Sequence, residues 1–195
     1  ETLLRNLLQK MPPYCKQFFI GIEPTTSSRT RIAYAYDLNC FFDYLHENNP
    51  LCSKKDITEI PLSVLGNLAP MDIEEYLSYL KYYEKDGVEH TNDERGLKRK
   101  LASLRSFYRY LYKNEMIGQD PAVKVDMPKI HEKTITRLDI DEVANLLDEV
   151  ESGESLTEKQ QKFHEKTKTR DLAMMTLLLG TGIRVSECVG LDVED

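Results

Sequence analysis

The sequence predicts a mainly α-helical protein, and three observations predict it. Apolar residues recur at steps of three and four in one segment after another. Residues that cap helices stand where those segments begin. Charged residues make up 30% of the chain and hydrophobic residues 41%, with only 9 glycines and 8 prolines among 195 positions. That length suits one large domain or two small ones, and the hydrophobic share supports a real core.

The first strongly periodic segment is SSRTRIAYAYDLNCFFDYLHEN. Ser27 is placed to cap it, and Ile32, Tyr34, Leu38, Phe41, Phe42 and Leu45 recur at helical spacing. A polar loop with Pro50, Ser53 and Pro61 follows. MDIEEYLSYLKYYEKDG predicts a second helix, closed by Gly87. ERGLKRKLASLRSFYRYLYKNEM predicts a third, with Leu97, Leu101, Leu104, Tyr108 and Leu111 on one stripe. After Asn114 the periodicity stops at Gly118, Pro121 and Pro128, which predicts an extended linker. A new helix is expected in LDIDEVANLLDEVESGE, where Asp139 and Glu142 form a capping-box pair. Residues 151–168 are polar and read as a solvent-facing insertion or a helix extension. RDLAMMTLLLG should start near Thr169–Asp171 and form the buried central helix of a second domain, ending at Gly180 and Gly182. The next helix would begin near Arg184.

Composition excludes some classes. No stretch of about 18 apolar residues offers a membrane span. The start has no signal-peptide pattern, and a chain opening without Met is expected of a trimmed N-terminus. The 4 cysteines (Cys15, Cys40, Cys52, Cys188) show no C-x-x-C spacing and read as reduced thiols of a cytoplasmic protein. The 4 histidines (His46, His90, His131, His164) lie scattered in polar contexts without metal-ligand spacing. A net charge of −7 argues weakly against nucleic acid, but binding depends on where charge sits.

It sits on the third helix. Arg95, Lys98, Arg105 and Arg109 fall on one stripe, Arg99, Lys100 and Lys113 widen it, and no acid lies between Arg95 and Asn114. One reading is a solvated helix face. Such faces usually mix signs, because opposite charges four residues apart stabilise a helix and like charges destabilise it. The other reading is that a phosphate backbone supplies the missing counter-charge.

The end of the chain, LLLGTGIRVSECVGLDVED, raises a second question. Its plain reading is a helix–turn–helix corner in which Arg184 pairs with Glu187. Yet an arginine at a helix start opposes the macrodipole. Beside free backbone N–H groups it makes an anion site instead, with a planar fork of donors for two phosphate oxygens. Glu187, one turn on, could hold the guanidinium in position. That is a plausible half-site for phosphoryl transfer.

RDLAMMTLLLGTGIRVSECVGLDVED resembles the first catalytic box of tyrosine recombinases of the Xer and phage-integrase type. SSRTRIAYAYDLNCFFDYL resembles the first DNA-contacting helix of that family's core-binding domain. KRKLASLRSFYRYLYKNEMIGQDPAVKVDMPK resembles its last helix and the interdomain linker. The blocks follow family order from about Ser27 to Asp195. Departures are the long polar stretch 151–168, and Cys188 where the family usually has an apolar residue.

The resemblance implies an N-terminal SAM-like helical bundle followed by a truncated, mostly helical catalytic domain. Its boundaries would be 1–118 for the DNA-binding domain, 119–136 for the linker and 137–195 for the catalytic part. It implies strand cleavage and rejoining through a 3′-phosphotyrosyl link, with no metal or other cofactor. Arg184 matches the first catalytic arginine and Glu187 its supporting acid. The family's other catalytic groups lie downstream of this box, so the chain is expected to be a fragment lacking the nucleophile, inactive alone. Its 11 tyrosines all precede Arg184 and read as packing residues. Arg29, Thr30 and Arg31 would meet DNA from the first helix, and Lys98, Arg99, Ser103, Arg105 and Arg109 from the third. Most should contact phosphates and one or two should reach bases. For Arg105 a partner acid inside the bundle is the competing reading. The implied partners are a double-stranded recombination site and other protomers, four acting on two duplexes. Two further readings are a non-catalytic DNA-binding regulator and a helical scaffold that binds an acidic protein.

Overall fold

A computed structural model describes residues 2–85, 87–131, 136–192 and 194. The chain divides into two compact units, Glu1–Glu132 and Lys133–Asp195.

In the first unit, α1 (Thr2–Leu8) leads to α2 (Pro13–Ile22). Pro13 opens α2, where its missing N–H costs nothing, and Cys15, Phe18 and Phe19 share its buried face. A 3₁₀ turn, Glu23–Thr25, brings the chain to α3 (Ser28–Asn48). Ser27 caps α3 as the sequence indicates, its Oγ accepting from the Thr30 N–H at 3.2 Å. Leu38, Phe41, Phe42 and Leu45 are buried, while Ile32 and Tyr34 are half-buried. The short α4 (Leu62–Asn67) and α5 (Pro70–Tyr79) follow.

The second predicted helix does not reach Gly87. It stops at Tyr79, and the chain folds back as a hairpin of β1 (Tyr82–Lys85) and β2 (Val88–Thr91), pairing Tyr82 with Thr91 and Lys85 with Val88. The reason is local. Asp-Gly between β-favouring residues is a strong hairpin signal, and Gly87 takes φ +75°, which other residues rarely adopt. Asp86, also inside the predicted helix, lies outside the described residues.

The third helix, α6 (Glu94–Lys113), is capped by Asp93, which accepts from the Gly96 N–H at 2.8 Å. All five residues of its apolar stripe are buried, and Phe107 joins them at the centre of the core. The Phe107 ring meets Phe18 edge-on at 5.2 Å and Phe42 at 6.3 Å. Two phenols satisfy themselves on backbone: Tyr14 donates to the Ile60 carbonyl at 3.1 Å and Tyr108 to that of Leu65 at 3.3 Å.

The segment read as a linker is not free chain over its first part. Ala122 and Val125 are buried around a 3₁₀ turn, Ala122–Lys124. Arg105 donates from Nε to the Ala122 carbonyl at 3.0 Å and from Nη2 to that of Val125. So Arg105 finds backbone carbonyls rather than an acid of the bundle. Further on, the His131 N–H donates to Glu94 at 2.7 Å. Residues 132–135 of the predicted linker lie outside the described residues.

The second unit holds α7 (Ile140–Ser152), α8 (Glu158–Thr181) and α9 (Val185–Val189). The capping box is present: Asp139 accepts from the Glu142 N–H at 2.8 Å and its own N–H donates to Glu142 at 2.9 Å. α8 begins at Glu158, well before Thr169, because Gln160 accepts from Thr157 and starts the helix in the polar stretch. Residues 158–168 are therefore a helix extension. Gly180 stays helical, and Gly182 alone ends the helix at φ +69°. The expectation of a buried central helix fails: no residue of α8 is buried, since α7 and α9 cover only part of it.

Candidate nucleic-acid interface

The first unit presents its cations from two helices that pack together, α3 and α6. Arg29 is exposed in the first turn of α3. Thr30 is half-buried, with its hydroxyl 2.9 Å from the Ser27 hydroxyl. Arg31 turns inward. It is buried, donating to the Thr26 carbonyl at 2.8 Å and the Glu23 carbonyl at 3.1 Å, and pairing with the Glu23 carboxylate at 3.4 Å. As placed, it closes the corner between α2 and α3.

On α6 the predicted residues also separate. Arg95, Lys98, Arg109 and Lys113 are exposed, and none forms an ion pair among the described residues. Ser103 is buried and donates to the Lys100 carbonyl at 2.8 Å. Arg105 is held by the carbonyls described above. Arg99 and Lys100 both reach Asp37 of α3, Arg99 through a short hydrogen bond and Lys100 at 3.4 Å. Asp37 is 1% exposed, Lys100 10% and Arg99 49%.

Asp37 is a residue that the spacing of the basic stripe does not reveal, and it supplies part of that stripe's counter-charge from inside the protein. The signal was available: Asp37 lies three residues after Tyr34 and four before Phe41, on the apolar stripe of α3. A carboxylate there must be paired, and the nearest supply of cations is α6.

The second unit forms the Arg184 corner as the motif suggests. Arg184 is the N-cap of α9. Glu187 takes its backbone N–H at 2.7 Å on one oxygen and its guanidinium at 2.9 Å on the other. Arg184 is 80% exposed, so the rest of its donor fork faces solvent. One carboxylate thus fixes both the start of the helix and the direction of the guanidinium.

Where a tyrosine departs from ordinary acidity it does so upward. Burial raises Tyr14, Tyr76 and Tyr108 well above the usual phenol range, and Tyr83 is pushed up to about 12, again chiefly by burial. These phenols are poor nucleophiles. Among the described residues no group of His, Cys, Asp and Glu could hold a metal ion. No described helix is long and apolar enough to cross a membrane.

Residues 16–115 match the phage integrase N-terminal SAM-like domain. The chain is 30% identical to the tyrosine recombinase XerC of Caldanaerobacter subterraneus subsp. tengcongensis, over 95% of this chain and 50% of that protein. It is 28% identical to the tyrosine recombinase XerS of Lactococcus lactis subsp. cremoris, over 100% of this chain and 61% of that one. It is 30% identical to the tyrosine recombinase XerD of Staphylococcus epidermidis, over 91% and 50% respectively. The chain therefore spans about half the length of the curated relatives it matches. No solved structure matches it.

Proposed function

This chain belongs to the tyrosine recombinases of the Xer and phage-integrase type, and from that premise we propose that it is the DNA-gripping front portion of a cytoplasmic site-specific recombinase. Residues 1–118 form its DNA-binding domain, 119–136 the connector and 137–195 the front of its catalytic domain. The observation that carries the reading is the set of outward cations. Arg29, Lys98 and Arg109 stand exposed with no ion-pair partner among the described residues, and Arg99 stands beside them half-exposed, on a protein of net charge −7. Unpaired like charges held on a rigid helix are what a phosphate backbone compensates.

In the parent enzyme a tyrosine oxygen attacks the scissile phosphorus, the phosphotyrosyl bond forms, and the 5′-oxygen leaves with a proton. Reversal by an incoming 5′-hydroxyl rejoins the strand, so the phosphodiester energy is kept. Arg184 meets the charge that develops on the non-bridging oxygens, with Glu187 holding it in place. None of the 11 tyrosines here is the nucleophile in this reading. It belongs to a part of the parent enzyme outside these residues, and four protomers assemble on two duplexes.

The test is retention of duplex DNA by this chain as salt is raised. Four phosphate contacts give a slope of log K against log salt of about −4, at roughly 0.9 per contact. Arg109→Ala should flatten that slope by about one unit. Failure to retain any duplex at low salt overturns the reading. Incubation with a nicked duplex separates gripping from cutting: this chain should form no covalent adduct. A recombinase that carries this chain together with a nucleophile-bearing segment should form one, and lose it on Arg184→Ala.

A further inference from the structure

The side chain that most shapes the proposed interface cannot itself touch DNA. Asp37 is 1% exposed, on the face of α3 that packs against α6. It receives two cations that are consecutive in sequence, Arg99 and Lys100. Consecutive residues on a helix point about 100° apart. One carboxylate reached by both must therefore lie between their directions, under the edge of the α6 face.

The two cations are not equivalent. Lys100 is 10% exposed and nearly parallel in burial to the acid, so this pair neutralises the interior. Arg99 is 49% exposed, and its Nη1 donates to Asp37 while the rest of the fork remains outside. A buried ion group of this kind is a poor device for stability alone, since apolar side chains of similar volume serve as well or better. What it does supply is direction. An arginine free to rotate loses side-chain freedom when it binds a phosphate; one already held by a carboxylate loses less.

We propose that Asp37 is a positioning residue for duplex binding: it fixes the Arg99 guanidinium on the α6 face so that its outer N–H edge meets a backbone phosphate. The inference rests on the duplex-binding reading above. Lys100 pairs with the buried carboxylate from within, and Arg99 makes the contact.

The experiment is a four-cornered cycle on the 195-residue chain, with affinity for a duplex and its salt slope measured for the unmodified protein, Asp37→Asn, Arg99→Ala and the pair. Arg99→Ala should weaken binding about ten- to a hundredfold, the scale of one charge-assisted hydrogen bond, and flatten the slope by about one unit. Asp37→Asn should do nearly the same, and should do nothing further once Arg99 is gone. Equal effects of Asp37→Asn in both backgrounds overturn the inference. So does tighter binding by Asp37→Asn, the result expected of a carboxylate that merely repels phosphate. If Asp37→Asn loses its helical signal, Arg99→Lys decides. It keeps the charge and removes the planar fork, so it should bind like Arg99→Ala; binding like the unmodified chain overturns the proposal. Absence of duplex binding by the unmodified chain overturns the parent reading, and this inference with it.

Discussion

The two units hold their cations in different ways. In the first, Phe18, Phe42 and Phe107 interlock at the centre of an aromatic core, and α3 and α6 cannot shift without disturbing it. Arg99 and Arg109 inherit that rigidity. In the second unit Gly153 is the single described residue in the buried class. Order there comes from helix ends: the Asp139–Glu142 box, Gln160 at the start of α8, Gly182 at its end and Glu187 on Arg184. Packing carries one candidate site, with Asp37 pairing Arg99 on top of it, and local hydrogen bonds alone set the geometry of the other. The Arg184 guanidinium takes its support at close range, from a carboxylate three residues on.

The sharpest way to break this contrast is to remove a large side chain from each unit. Phe107→Ala should cost about 3–5 kcal/mol in a denaturant melt, because it opens a cavity among rigid rings. Leu178→Ala, half-buried on α8, should cost about 1 kcal/mol or less. Equal losses would dissolve the distinction. A smaller effect is expected at Gly21. A Cβ there would overlap the ring of Tyr110, which stacks edge-on against Phe18 at 5.6 Å. Gly21→Ala gains about 1 kcal/mol of helix propensity and loses about 1–3 kcal/mol to overpacking, for a net loss of about 0–2 kcal/mol. Tyr110→Ala in the same chain should recover most of it.

Glu187→Ala probes the other kind of support. It should speed hydrogen exchange of the amides at 184–189 by the few-fold that loss of one cap allows, about 1 kcal/mol, and leave α3 and α6 unchanged. Faster exchange in the first unit would contradict the separation.

The smallest effect concerns pH. Glu94 is held below its ordinary pKa of 4.5, first by the backbone N–H of His131 and then by the His131 ring. A lowered folded value means the contribution is complete above 4.5 and fades as the carboxylate protonates below it. The amide of His131 should therefore exchange faster as pH falls below that range, after correction for intrinsic rates. Glu94→Gln should abolish the dependence.

Much of this was legible in the sequence. The stripes of α3 and α6, the caps at Ser27 and Asp139 and the Arg184–Glu187 pairing all follow from spacings within one turn. The hairpin is harder to read, because Tyr82 and Tyr83 continue an apolar pattern that a helix could also use, and Gly87 serves equally as a helix end. The inward turn of Arg31 was hidden for another reason. Its acceptors are carbonyls of the preceding corner, and nothing in a sequence announces where a carbonyl will point. Asp37 was legible in principle, as an acid on an apolar stripe, and needed only the question of what pairs with it.

Arg105 leaves a consequence for anyone who would rebuild such enzymes. It grips the chain through the carbonyls of Ala122 and Val125, and Gln119 reaches the Gly66 carbonyl at 3.2 Å in the same spirit. Every residue carries a carbonyl, so this grip is blind to the letters of the segment it holds. Beyond the Gln119 amide, the Asp120 carboxylate and the small buried volumes at Ala122 and Val125, the grip itself places no demand on which side chains the stretch carries. A chimera that takes its front half from this chain and its rear half from a relative should be spliced after Val125, where the seam falls past the grip and the recipient's own letters can begin.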